Sequence, residues 1–225
     1  MTQIEILEVM PSLRERVYAP LEHTIIHGEL PPGTHLKEDE LAKKLGVSRN
    51  PVREALQQLV HEGMADYVPT KGVFVHTPTE KEISDVLHVR MVLECEAARL
   101  AASQRTPAQL ENMSALVRDG RQALATKDTE MLLKLNERFH RAVVEAGGNS
   151  VLEQSMEMLQ KRITWYFAGV VAARAVFSWD EHEAILEALQ EGDVELAGER
   201  MARHVHRTQA SIEEQTRSRR SNLDG

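Results

Sequence analysis

Apolar positions recur every three or four residues along most of the chain, the period of an amphipathic helix. The first such stretch covers 12–27, where Leu13, Val17, Leu21 and Ile25 form a stripe that Gly28 and Pro31-Pro32-Gly33 bring to an end. A short helix over 38–45 follows, then Gly46-Val47, then a helix over 48–62 with Ser48 as N-cap and Gly63 as its stop. Beyond Gly63 the period changes. The β-prone runs 64–68 and 73–75, separated by Pro69-Thr70-Lys71-Gly72, predict a small hairpin. After His76-Thr77-Pro78 the helical period returns and predicts helices over 80–103, 107–126, 129–146, 150–173, 179–191 and 194–216. Thr79 with Glu82, Thr106 with Gln109, and Ser178 with Glu181 have the spacing of capping boxes. These elements predict a mainly α chain. A winged helix-turn-helix domain spans 1–76, a linker 77–79, an all-α antiparallel helical bundle 80–216, and a frayed polar tail 217–225.

Composition narrows the class. With 42% hydrophobic residues in 225, each domain can bury a core, and 28% charged residues fit a folded, water-facing surface. The lone Cys95 excludes an internal disulfide and a cysteine-built zinc site. No run approaches the roughly 20 apolar residues of a membrane span, and the first twenty residues hold no signal-peptide core. A cytoplasmic protein with no membrane partner is therefore expected. The formal net charge of −8 excludes a nonspecific nucleic-acid coat.

Nucleic-acid binding then requires basic residues gathered locally. Residues 1–76 hold 8 Lys and Arg against 11 Asp and Glu, yet Lys43, Lys44, Arg49, Arg53 and Lys71 cluster. The acids Glu5, Glu8, Glu15 and Glu22 lie on or before the first helix. On the helix over 48–62, Val52, Ala55, Leu56 and Leu59 share one face, while Arg49, Asn50, Arg53 and Gln57 share another. A solvated face carries the same residue types. Arginine, however, also bonds bidentately to guanine, and glutamine or asparagine to adenine, so this face suits the major groove. Lys43 and Lys44 precede it on the shorter helix, and the hairpin tip brings Lys71 and Gly72 towards phosphates as a wing.

The run Leu30-Pro31-Pro32-Gly33, Glu40-Leu41-Ala42, Leu45 to Leu56, Glu62-Gly63 and Gly72-Val73-Phe74-Val75 resembles the N-terminal domain of the GntR superfamily of transcription regulators. The resemblance implies that Arg49, Arg53 and the wing-tip Gly72 contact bases, and that Ser48 and Asn50 touch phosphates at the helix start. Asp39 stands where FadR-type members can carry a base-contacting arginine. Phosphates repel it, so a different operator preference is expected.

In the second domain, polar residues occupy apolar stripes. Asn136 and His140 lie among Leu132, Leu133, Phe139 and Val143; His182 precedes Ile185, Leu186 and Leu189; His204 lies between Met201 and Thr208. Arg90 and Glu94 sit on the stripe of Ile83, Val86, Leu87 and Ala97. Burying such groups is unfavourable unless they find partners, so a polar cavity is expected inside the bundle. Three inward histidines suit a transition metal, although a histidine on an apolar face is commonly a satisfied core residue. Arg90 is either the partner of a ligand carboxylate or half of an internal pair with Glu94.

Asn136-x-x-Phe139-His140, Glu181-His182-x-x-Ile185, Ala188-Leu189, Gly192-Asp193 and His204 together resemble the FCD ligand-binding domain of the FadR subfamily. The resemblance implies a metal held by Asn136, His140, His182 and His204, with positions open to water or an effector carboxylate. Zinc is the first expectation, with nickel, manganese and iron compatible. Asn136 replaces the usual aspartate, which should weaken the hold on a dication.

The expected protein is a homodimeric, ligand-responsive regulator, a repressor in the first instance. It would read a palindromic operator and sense a small organic or sugar acid. Two other classes fit parts of the pattern. A metal-dependent hydrolase could activate water at the histidines, although no carboxylate has an evident general-base position beside them. A helical adaptor would bind neither operator nor small molecule.

Overall fold

The computed structural model describes residues 12–221 and divides between Thr77 and Pro78 into two compact units. The first unit opens with α1 (Leu13–Ile26). Ser12 accepts from the Glu15 N–H, and Glu15 returns the contact to the Ser12 N–H at 2.7 Å. Val17, Tyr18, Leu21 and Ile25 are buried, but Leu13 is 44% exposed. A four-residue step advances about 40° beyond a full turn, so Leu13 and Ile25 end roughly 120° apart and Tyr18 takes the core-facing place.

Helices α2 (Glu38–Leu45) and α3 (Arg49–His61) are joined by Gly46, whose φ of +66° lets the Val47 N–H reach back to the Ala42 carbonyl at 3.1 Å. Ser48 is the N-cap of α3, as expected, in an extended conformation, but its side chain makes no capping bond. Gly63 and Met64 close α3 with bonds to Val60 and Leu59. Strands β1 (Ala65–Val68) and β2 (Gly72–Val75) pair antiparallel, Ala65 opposite Val75. The segment after Pro31-Pro32-Gly33 adds to β2: the Val75 N–H donates to the Thr34 carbonyl and the Leu36 N–H to the Val73 carbonyl, both at 2.8 Å.

The second unit consists, among the described residues, of α4 (Glu80–Gln104), α5 (Pro107–Thr126), α6 (Thr129–Ala146), α7 (Ser150–Ala168), α8 (Val171–Glu191) and α9 (Val194–Ser221). Helix α4 packs against α6, α7 and α9, and α8 against α5 and α9. Capping boxes form at Thr79 and Thr106. The third predicted box does not form. Helix α8 starts eight residues before the expected 179, and Ser178 lies in its interior at 1% exposure. A Ser/Thr to Glu spacing of three residues also occurs mid-helix, and Val171 and Ala175 extend the buried face upstream of it. Likewise α7 ends at Ala168 rather than 173, and α9 continues beyond 216 to Ser221. The acids Glu5 and Glu8 and the end of the tail lie outside the described residues. No helix among the described residues is long and apolar enough to cross a membrane.

Gly120 permits the close approach of α5 and α8: a Cβ there would run into the buried Trp179 ring. Gly120→Ala is expected to destabilise the protein by about 1–3 kcal/mol through overpacking. Chemical denaturation checks this; an unchanged midpoint would show that the ring can move aside.

Candidate functional site

Helix α3 buries Pro51, Val52, Ala55, Leu56 and Leu59 and leaves Arg49, Asn50, Arg53 and Gln57 exposed, with Ser48, Lys43, Lys44 and Lys71 also on the surface. Gly72, the first residue of β2, has φ +102° and faces His35, whose ring stacks on Phe74 at 4.4 Å. A side chain there would be strained in the backbone and crowd His35. The exposed arginines are not bare. Arg53 grips Glu38 with two bonds, Nε to Oε1 at 3.1 Å and Nη2 to Oε2 at 2.9 Å. Arg49 Nε lies 2.5 Å from Asp39 Oδ1, and Asn50 donates to Glu54 at 2.7 Å. The hydrogen bond from Arg53 holds the Glu38 carboxyl below its ordinary value. The acids of α2 thus stand against the basic face, whereas the sequence had placed the acidic charge on and before the first helix. The pairs cross from one helix to the next, so spacing along a single wheel does not reveal them.

In the second unit, α6, α8 and α9 bring His140, His182 and His204 together, each offering a nitrogen within 4.8 Å of the others. His140 Nε2 and His204 Nε2 are 3.2 Å apart. Two nitrogens bound tetrahedrally at zinc distances of 2.0–2.1 Å stand about 3.3 Å apart, so the separation of this pair is that of two ligands of one metal. His182 is 0% exposed and neither of its ring nitrogens has a hydrogen-bond partner. It is sandwiched by Phe139, stacked at 4.3 Å, and Trp179, edge-on at 4.8 Å. Asn136 is buried on the same stripe of α6, one turn before His140.

Two carboxylates flank the histidines, which the sequence reading did not anticipate. Glu181, read there as a capping residue, accepts from His204 Nδ1 at 2.8 Å, from Arg207 Nη1 at 3.0 Å and from Arg174. Holding the Nδ1 proton turns the His204 Nε2 lone pair towards the other imidazoles. Glu94 Oε2 lies 3.0 Å from His140 Nδ1, close enough for strong attraction though out of line for a hydrogen bond. Arg90 donates from Nε to Glu94 Oε1 at 3.1 Å, and its Nη2 lies 3.1 Å from His140 Nε2. The Arg90–Glu94 pair therefore exists, and Arg90 borders the centre as well, with Nη1 unpartnered. Neither carboxylate is free to act as a base, since an arginine holds each. A stripe of Arg174, Ser178 and His182 at four-residue spacing was the available signal for Arg174.

Burial sets the protonation of the cluster. It pushes His182 well below the ordinary histidine value, and the neighbouring histidines and arginines push the same way. Burial takes His204 down to about 4 against the opposing pull of Glu181, and it lowers His140 against Glu94. Burial would raise both carboxyls, but Arg90 and His140 hold Glu94 at about 2, and His204 and Arg174 hold Glu181 at about 2. The imidazoles are neutral at pH 7 and so able to bind a metal.

With metal chelated, acidification is expected to destabilise the second unit in two stages. A histidine that is hard to protonate when folded contributes stability above its unfolded value and loses it as pH falls. The first loss thus runs from 6.5 towards about 4, on the order of 3 kcal/mol for His204 alone. The second runs from 4.5 towards about 2 as Glu94 and Glu181 lose their partners' advantage. A melting temperature that stays flat between pH 7 and 5 would contradict the buried neutral state.

Comparison with known proteins matches each unit separately. The bacterial regulatory protein domain of the gntR family matches residues 13–75, and the FCD domain matches residues 85–207. The HTH-type transcriptional repressor RspR of Escherichia coli K12 is 25% identical over 89% of each chain. An HTH-type transcriptional regulator from an unstable DNA locus of Streptomyces ambofaciens is 32% identical, covering 89% of this chain and 85% of its own. Among solved structures, E. coli McbR/YncC superposes with a TM-score of 0.78 at 26% identity, over 92% of this chain and all of that one.

Proposed function

Since the chain belongs to the gntR family of bacterial regulatory proteins and carries an FCD domain, and so is a DNA-binding transcription regulator rather than an enzyme, we propose that it is a cytoplasmic homodimeric repressor of the FadR subfamily that releases or grips a palindromic operator in response to a small organic or sugar acid. In this reading α3 enters the major groove, with Arg49, Arg53 and Gln57 at base edges and Gly72 at the wing tip. Ser48, Asn50, Lys43, Lys44 and Lys71 meet phosphates. Repression follows the likeness to RspR, which is named a transcriptional repressor.

The observation that carries the sensor half is His182, fully buried with both nitrogens unpartnered beside two further histidines. An orphaned buried polar group is rare in folded proteins and points to a bound partner. His140, His182 and His204 would hold a transition metal, zinc first, with Asn136 as a fourth, neutral ligand. Bound there, the metal supplies a Lewis acid that attracts a carboxylate oxygen. Glu94 and Glu181 orient the imidazoles, and Arg90 meets the effector. Coupling between effector and operator is typically about 1–3 kcal/mol, roughly 5–150-fold in affinity.

Elemental analysis of protein purified without chelator is expected to find about one transition metal per chain, lost in His140→Ala. Fluorescence anisotropy with DNA from upstream of its own gene measures the other half. A metal-free wild type that still binds its operator would remove the metal and keep the regulator. No preference for any DNA sequence would remove the operator reading.

A further inference from the structure

Arg174, Ser178 and His182 stand four residues apart on α8 and share one face over two turns. Their exposures are 5%, 1% and 0%. Each carries a side-chain atom without a hydrogen-bond partner: Arg174 Nε, Ser178 Oγ and both nitrogens of His182. Arg90, 1% exposed on α4, carries a further one at Nη1. Proteins seldom leave several buried polar groups unmet along one face. Arg90, Arg174 and Ser178 can all donate, so what they lack is an acceptor-rich partner.

The contacts place the two guanidiniums on either side of the histidines. Arg90 Nη2 and His204 Nε2 lie 3.1 and 3.2 Å from His140 Nε2, His204 Nδ1 reaches Glu181 at 2.8 Å, and Arg174 donates to the same Glu181 oxygen. Charge completes the picture. Arg90 is paired with Glu94 and Arg174 with Glu181, which the more exposed Arg207 also reaches, and imidazoles ligate a metal in their neutral form. A dication among the histidines would add two positive charges to a buried, low-dielectric centre, and Asn136 brings no charge to offset them. A ligand carrying two negative charges restores the balance.

We infer that the effector is a short dicarboxylate, held at one end by the histidine centre with Arg90 and at the other by Arg174 with Ser178. This rests on the sensor reading proposed above and adds the chemical class and the second anchor. The Arg174 side chain runs along α8 towards Glu181, so its guanidinium lies roughly one turn, about 5 Å, from His182; that suits an acid of about four to six carbons. Two clefts approach the centre from outside. One of about 200 Å³ between α6 and α7 reaches His140, and one of about 280 Å³ between α8 and α9 reaches Glu181 and His204.

The test is a thermal-shift titration of the full-length, zinc-loaded protein with succinate, malate, glutarate and adipate against butyrate and valerate. A dicarboxylate is expected to give the same shift at least tenfold more dilute than the monocarboxylate of equal length, and to slow zinc removal by a competing chelator. Arg174→Met should abolish that preference, and Arg174→Lys should restore part of it. Ser178→Ala, the milder change, should weaken the dicarboxylate response several-fold and reports on the site if Arg174→Met does not fold. If monocarboxylates act as well as dicarboxylates on the wild type, or if Ser178→Ala and Arg174→Lys both keep the full preference, the second anchor is wrong and the sensor reading stands. If no acid shifts the protein with or without zinc, both fall.

Discussion

Glu94→Ala is expected to destabilise the helical unit by about 3–5 kcal/mol, which would unfold many domains of this size at 37 °C. The side chains of Glu94 and Arg90 are 2% and 1% exposed, and Glu94 is the carboxylate that pairs with Arg90. Removing Glu94 leaves a guanidinium buried without a counter-charge. It also removes the anion beside His140 Nδ1. The double variant Arg90→Met/Glu94→Leu should recover most of the loss, because an apolar pair of similar volume needs no desolvation of charge. Urea denaturation followed by circular dichroism gives both values. A single-variant loss below about 1 kcal/mol would mean that water reaches Arg90 in the folded protein. Because Arg90 is also assigned to the effector, the double variant separates stability from sensing: it should fold and bind operator yet fail to respond to acid.

Arg53→Ala and Arg49→Ala carry the second large effect, on DNA. Each is expected to reduce discrimination between the operator and a variant base pair by roughly 5- to 150-fold, the loss of one bidentate arginine contact. Lys43→Ala should instead weaken binding to all sequences alike and lower the salt dependence by about one counterion. The contrast separates base reading from phosphate attraction. Glu38 adds a direction. Its carboxylate occupies the two Arg53 nitrogens that a guanine edge would use, so Glu38→Gln should raise affinity for DNA of any sequence. Competition binding at two salt concentrations measures all four variants. Equal losses on operator and random DNA for the arginine variants would move α3 out of the base-reading role.

What could be read from the chain alone was local. The apolar face of α3, its exposed Arg49, Asn50, Arg53 and Gln57, the hairpin wing and the capping boxes at Thr79 and Thr106 follow from period, turn chemistry and hydrogen bonds spanning three or four residues. The same local logic failed where two structures share a pattern. Ser178 with Glu181 reads equally as a cap or as the middle of a helix, and the buried face continuing through Val171 and Ala175 decided for the middle. It failed again at Leu13, where a stripe drawn at four-residue steps drifts off the core. The histidines were legible as polar intrusions on apolar stripes, but their partners were not. Glu94 and His140 are 46 residues apart, Glu181 and His204 are 23 apart, and Arg49 meets Asp39 across a turn. A residue's period says that it faces inward; which charge it meets there depends on how whole helices pack. That long-range choice sets the protonation of the centre, the pairing of Arg49 and Arg53 with the acids of α2, and the pairing of Arg174 with Glu181.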